Sequence, residues 1–158
     1  HIRNKVALNL SGKVGEDVIA GIGLLDLYGP TFYPSGVSTV ADRYAWAKRH
    51  IEQTVAHPKF RQYFAVHETE AWLLADPSIL PAQVKNALPG GCEEPERVNF
   101  VDPPSELLAR LYRSRLNQAY KKVTDGANLF QALDPGAAYA KCPYLRRLFD
   151  DMVALARS

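Results

Sequence analysis

Apolar and polar positions follow two periods along this chain. Ile2, Val6 and Leu10 recur every fourth residue with Arg3, Asn4, Lys5 and Asn9 between them, which predicts a short amphipathic helix that Gly12 would stop. Val18 to Leu25 is apolar on both faces and β-branched at its start, the pattern of a central parallel strand. Gly21 and Gly23 weaken that strand but let a neighbouring helix or ligand approach closely. Asp26-Leu27-Tyr28-Gly29-Pro30 reads as a turn, and Phe32 to Gly36 as an aromatic loop. Thr39 can cap the next helix, with Asp42 three residues on favouring its positive end. In that helix Val40, Tyr44, Ala47, Ile51 and Val55 form one stripe, Arg43, Lys48, Arg49 and Glu52 face solvent, and His57-Pro58 ends it. An apolar run from Tyr63 to Val66 predicts the second strand. Strand, helix, strand at this spacing is a βαβ unit with parallel strands and a right-handed crossover.

A helical pattern restarts at Ala71-Trp72-Leu73-Leu74, directly after His67-Glu68-Thr69-Glu70. Pro77 to Pro104 reads as short helix plus loop. From Ser105 onward the chain reads as helical, with Leu107, Leu108, Leu111, Tyr112 and Leu116 on one stripe. Asp125-Gly126 is expected to break the chain before a segment from Ala127 to Leu133. Asp134-Pro135 predicts a cap followed by proline at the first helical position. Pro143 opens a last helix with Leu145, Leu148, Met152 and Leu155 on its inner face. There is no internal repeat and no low-complexity segment. The expectation is one α/β domain over residues 1–158: a βαβ core in 1–76, then a loop and helical part in 77–158.

Composition narrows the class without naming a function. The 158 residues are 47% hydrophobic and 23% charged with a formal net charge of +2, ordinary for a globular protein and not polybasic. No apolar run is long enough to span a bilayer, and the first residues lack the apolar core of a signal peptide. Cys92 and Cys142 belong to no CxxC pair, so neither a zinc site nor a disulfide framework is indicated, and a cytoplasmic setting is the simplest expectation. Basic residues crowd one segment: Arg110, Arg113, Arg115, Lys121 and Lys122, with Arg146 and Arg147 later. The chain begins at His1, which suggests a piece of a longer protein.

Candidate chemistry lies where the two strands end, because open α/β sheets build their sites at the carboxyl ends of strands. The first strand ends in Asp26, and the second is followed by His67, Glu68 and Glu70. Acids gathered there repel unless a cation stands between them, and hard cations such as Mg2+ (or Mn2+) take carboxylate oxygens. Asp26, Glu68 and Glu70 are therefore candidate metal ligands. The plainer alternative makes Asp26 a turn residue, Glu70 a first-turn helix acid and Glu68 a solvated side chain. His67 reads as a packed histidine and His50 as solvent-facing. Arg113, Arg115, Lys121 and Lys122 are candidates for a nucleic-acid backbone, against the default of a solvated helix face. Tyr28, Phe32 and Tyr33 either stack on a base or fill their own loop, and Trp46 and Trp72 read as packing residues. No glycine pattern matches a Walker or dinucleotide fingerprint, and no nucleophile elbow is present.

The residues Asp26-Leu27-Tyr28-Gly29, the Phe32 to Gly36 loop, His67-Glu68-Thr69-Glu70-Ala71-Trp72-Leu73-Leu74-Ala75-Asp76, Pro104-Ser105, Tyr120-Lys121-Lys122 with Asp125-Gly126, and Cys142-Pro143 occur in the order of a known pattern. The chain resembles a bacterial family of unknown function, domain-of-unknown-function family 4276, described as Toprim-like. The resemblance implies a Toprim-like parallel-sheet core with a helical C-terminal part. It also implies magnesium-dependent cutting or rejoining of nucleic-acid phosphodiesters, and association with a partner ATPase in anti-phage defence. Asp26 would then be a metal ligand, with Glu68 and Glu70 as the other acids. Ser105 and Lys121 fall on family-like positions without an assigned role. Two positions depart from the Toprim pattern. No glutamate follows a first strand before Asp26, which implies that strand lies upstream of His1, and Tyr28 stands at the second acid of Asp-x-Asp.

The residues taken with this resemblance imply magnesium-dependent phosphodiester hydrolysis on nucleic acid, with Glu68 and Glu70 as the catalytic carboxylates. The alternatives are a non-catalytic module that binds nucleic acid or a partner ATPase, and a small-molecule phosphohydrolase using the same crevice.

Overall fold

The computed structural model describes residues 2–10, 17–28, 32–97 and 103–157. They divide into two compact units, His1–Ala65 with Asp150–Ser158, and Val66–Phe149. Gly12 and the Gly29-Pro30 turn lie outside the described residues.

The first unit holds the βαβ motif. Helix α1 (Ile2–Leu10) precedes strand β1 (Gly21–Asp26), helix α2 (Val40–Val55) and strand β2 (Phe60–Ala65). The strands pair in parallel, from Gly21 opposite Phe60 to Asp26 opposite Ala65. Helix α2 forms as its sequence predicts, except that Lys48 and Glu52, expected to face solvent, are 22% and 27% exposed and pair at 2.7 Å. Thr39 Oγ1 accepts the Asp42 N–H at 3.1 Å, and Tyr44, Ala47, Ile51 and Val55 are buried. The helix ends at Ala56, which takes a left-handed φ of 53° and returns its N–H to Glu52. Tyr44 meets Phe64 edge-on at 5.5 Å, so the helix packs directly on β2.

Both strand glycines admit a neighbour. A Cβ on Gly21 would stand 2.8 Å from the buried Leu10 side chain, and one on Gly23 would stand 2.5 Å from Gln62 Oε1 and 2.8 Å from Phe60. That vacancy lets polar Gln62 lie inside the sheet, 1% exposed. It also explains why β2 starts at Phe60 rather than at Tyr63: Arg61 and Gln62 interrupt the apolar run but not the ladder.

Strand β1 differs from its reading as a central strand. Among the described residues its ladder partner is β2 alone, and Leu24 and Leu25, on opposite faces, are 41% and 39% exposed. A run apolar on both faces does not by itself secure cover for both.

The second unit is helical: α3 (Glu70–Leu74), a 3-10 turn at Pro77–Ile79, α4 (Ala82–Lys85), a second turn at Pro95–Arg97, α5 (Pro104–Leu116), α6 (Asp125–Ala132), α7 (Pro135–Lys141) and α8 (Pro143–Arg157). Residues of α8 from Asp150 onward count with the first unit. The α5 stripe of Leu107, Leu108 and Leu111 packs with Leu73 and Leu74 of α3 and with Val84 of α4 in one apolar core. Burying each such leucine contributes about 1.5–3 kcal/mol. This packing explains why the division falls before Val66 and not after Asp76: α3 joins the helical core, not the sheet.

Two details differ from the sequence reading. Asp125 and Gly126 are the first turn of α6, not a break before it. Met152, expected on the inner face of the last helix, is 44% exposed, while Leu145 and Leu148 are buried. No helix among the described residues is long and apolar enough to cross a membrane.

Candidate acidic site in the second unit

The chain leaves β2 at Ala65 and turns sharply. His67 takes a left-handed φ of 67°, unusual for a non-glycine residue. The Glu68 and Thr69 carbonyls accept the Ala71 and Trp72 N–H groups, and α3 begins at Glu70. His67 is buried. Its Nε2 lies 3.1 Å from the Glu96 carbonyl oxygen, which can only accept, so that nitrogen carries the proton. Burial holds the His67 pKa below its ordinary value, opposed by the Glu96 carbonyl and the Glu68 charge.

Glu68 reaches across to α5. Pro103 stands at the cap position of that helix without a capping side chain, and Pro104 has no N–H. The first free donor, the Ser105 N–H, goes to Glu68 Oε2 at 2.9 Å. A carboxylate there satisfies an orphan donor and faces the positive end of the helix. Ser105 thereby acquires a definite contact through its backbone.

Glu70 is buried and paired. Lys122 Nζ stands 3.0 Å from its Oε1, and the Thr69 hydroxyl donates to its Oε2 at 3.4 Å. The loop that delivers Lys122 is tied locally. The Lys121 N–H donates to Asp125 Oδ2 at 2.6 Å, and the Asp125 N–H returns to the Lys121 carbonyl at 2.7 Å. Tyr120 packs edge-on against Tyr112 at 5.2 Å, with its hydroxyl 3.0 Å from where a Cβ on Gly126 would stand. Burial, and next the Glu70 charge, raise the Tyr120 pKa and keep the phenol protonated.

The segments around Glu68, Ser105 and Tyr120-Lys121-Lys122 thus meet in one unit. Arg113 and Arg115 lie exposed in the last turn of α5, where positive charge suits the helix dipole, and Lys121 is exposed as well. Asp26 closes β1 in the first unit and is half-buried. Among the described residues no group of three or more His, Cys, Asp or Glu side chains is placed to hold a metal ion. Each of the two acids is offset within the chain, Glu68 by a helix N-terminus and Glu70 by an ammonium.

Glu96 is a buried acid that sequence reasoning passed over. It accepts the Tyr144 N–H at 2.7 Å and the Leu145 N–H at 3.2 Å, capping α8 from a distance. Burial raises its pKa, while those two N–H groups pull it down. The available signal was Cys142 before Pro143: a helix start with no capping side chain of its own needs an acceptor from elsewhere. Elsewhere, the first unit holds a cavity of about 570 Å³. On its wall the Tyr63 hydroxyl donates to Asp151 at 2.8 Å, and Lys48 bridges Glu52 and the Gln62 carbonyl.

The family model described as Domain of unknown function (DUF4276) matches residues 5–153. The chain belongs to that family. No curated protein and no solved structure matches it. In this DUF4276 chain, Glu68, Ser105 and Lys122, which build the acidic site, all lie within the matched residues.

Proposed function

We propose that this chain is a Toprim-like domain that hydrolyses phosphodiesters of nucleic acid with Mg2+ (or Mn2+). One observation carries it: the buried acid Glu70, beside Glu68, has for a cationic partner a lysine that is itself half-exposed. Two carboxylates are the donor set Mg2+ usually takes from a protein, with water and substrate phosphate completing its shell. Glu68 and Glu70 would hold the ion, which when bound would offset charge building on the phosphate. Lys122, on a flexible stem, can leave Glu70 and meet that phosphate as a point charge. A carboxylate oxygen of the pair that is not on the ion can accept a proton from the attacking water. Arg113, Arg115 and Lys121 supply positive charge for the backbone, independent of sequence.

Calorimetric titration with Mg2+ and Mn2+ tests this, on the chain and on Glu68→Gln/Glu70→Gln, followed by cleavage assays on DNA and RNA. Heat in the first that vanishes in the second supports the assignment. No heat in either overturns it. Asp26→Asn enters the same titration separately, as the strand-end acid of the first unit.

A specific observation favours a second reading. Each acid of the pair already has a partner in the chain, and the described residues contain no three-ligand group. A non-catalytic module for nucleic acid or a partner ATPase would show salt-sensitive binding with no metal requirement.

A further inference from the structure

Helix α2 carries an aromatic and basic face that its core-facing stripe does not use. Trp46 and His50, four residues apart, stack with ring centroids 4.7 Å apart and planes 10° apart. Phe32 covers both, 5.6 Å from Trp46 and 5.3 Å from His50, yet remains 49% exposed. Tyr33 adds a fourth ring 5.9 Å from Trp46. Its hydroxyl donates to the Leu27 carbonyl at 2.9 Å, which pins the loop to the residue after Asp26. The Arg43 guanidinium lies 5.2 Å over the Tyr33 ring, and exposed Arg49 comes three residues after Trp46, one turn along the helix.

We propose that Phe32, Trp46 and His50 form a stacking platform for the unpaired bases of single-stranded nucleic acid, with Arg43 and Arg49 complementing its phosphates. Rings gathered at the surface offer π-faces that any base can use, and duplex DNA hides the matching faces inside its own stack. The flanking arginines favour a polyanion over an apolar peptide. The choice of nucleic acid rests on the function proposed above, whereas the platform rests on the ring geometry alone.

Trp46 reports on the platform. In the full chain carrying Trp72→Phe it is the remaining tryptophan of two. Its fluorescence is followed during titration with an oligothymidylate of about ten nucleotides, a length within the usual range for such sites. A duplex of equal length serves as the control. Quenching by the single strand, weaker response to the duplex, and about tenfold weaker binding for Phe32→Ala or His50→Ala are expected. No quenching, equal response to the duplex, or unchanged affinity in Phe32→Ala would overturn the platform. If Trp72→Phe does not fold, the separate indole N–H resonances of the two tryptophans in the unmodified chain give the same readout. Glu68→Gln/Glu70→Gln separates the two proposals: it should lose the metal heat and keep the quenching. Quenching without metal binding would sink the hydrolase alone, and metal-dependent cleavage without quenching would sink the platform alone.

Discussion

Lys122 holds an ammonium whose side chain is 54% exposed 3.0 Å from Glu70 Oε1, and the Glu70 side chain is 2% exposed. The pair is asymmetric: one partner can leave for water and the other cannot. Truncation at Lys122 therefore strands a buried carboxylate. Lys122→Ala is expected to cost about 1–3 kcal/mol in urea denaturation. Adding Glu70→Gln should recover part of that loss, because the stranded charge is gone. A Lys122→Ala chain as stable as the parent would show that Glu70 draws its stabilisation from elsewhere.

Glu68 has a structural role and a proposed chemical one, and two substitutions separate them. Glu68→Ala removes the acceptor for the Ser105 N–H and should cost about 1 kcal/mol, as other lost helix caps do. Glu68→Gln keeps an acceptor oxygen and should retain most of that stability while losing the charge a cation needs. Equal destabilisation by both would mean that the carboxylate charge, facing the helix end, matters more than the hydrogen bond.

His67 makes stability depend on pH with a definite sign. Its pKa in the folded chain lies below the ordinary 6.5, so the unfolded chain takes up the proton first as pH falls. The contribution is complete above 6.5 and is lost as pH drops through the folded value. Glu96, whose carbonyl faces the imidazole, acts in the opposite sense. Its raised pKa gives a contribution complete below the ordinary 4.5 and lost as pH rises through the folded value. His67→Asn tolerates the left-handed backbone and does not titrate. Denaturation midpoints for the parent should fall relative to this variant as pH drops below 6.5, with Glu96 common to both chains. Parallel curves would remove His67 as the titrating group.

Much of the fold was readable because local forces decide it. Thr39, Asp42 and the stripe from Tyr44 to Val55 describe a helix whose cap and buried face were both found in place. Asp134-Pro135 marks the start of α7, where Asp134 accepts the Gly136 N–H at 2.8 Å. Where the sequence misled, a local pattern met a distant neighbour. Arg61 and Gln62 look like a strand boundary until Gly23 makes room for Gln62. Asp125-Gly126 looks like a break until Asp125 takes the Lys121 N–H and opens α6.

By itself the sequence determined the helix and strand periods, the local caps Thr39 and Asp134, and the acids that follow the strand ends, because those depend on residues within a turn or two of one another. Only the tertiary structure decided that Glu68 caps α5, that Glu96 caps α8, that Lys122 closes on Glu70, and that Trp46 and His50 stack beneath Phe32. Apart from the four-residue step from Trp46 to His50 within one helix, each of those partnerships depends on how helices and loops distant in sequence pack. A buried carboxylate takes whichever donor that packing brings within reach, which no spacing along the chain specifies.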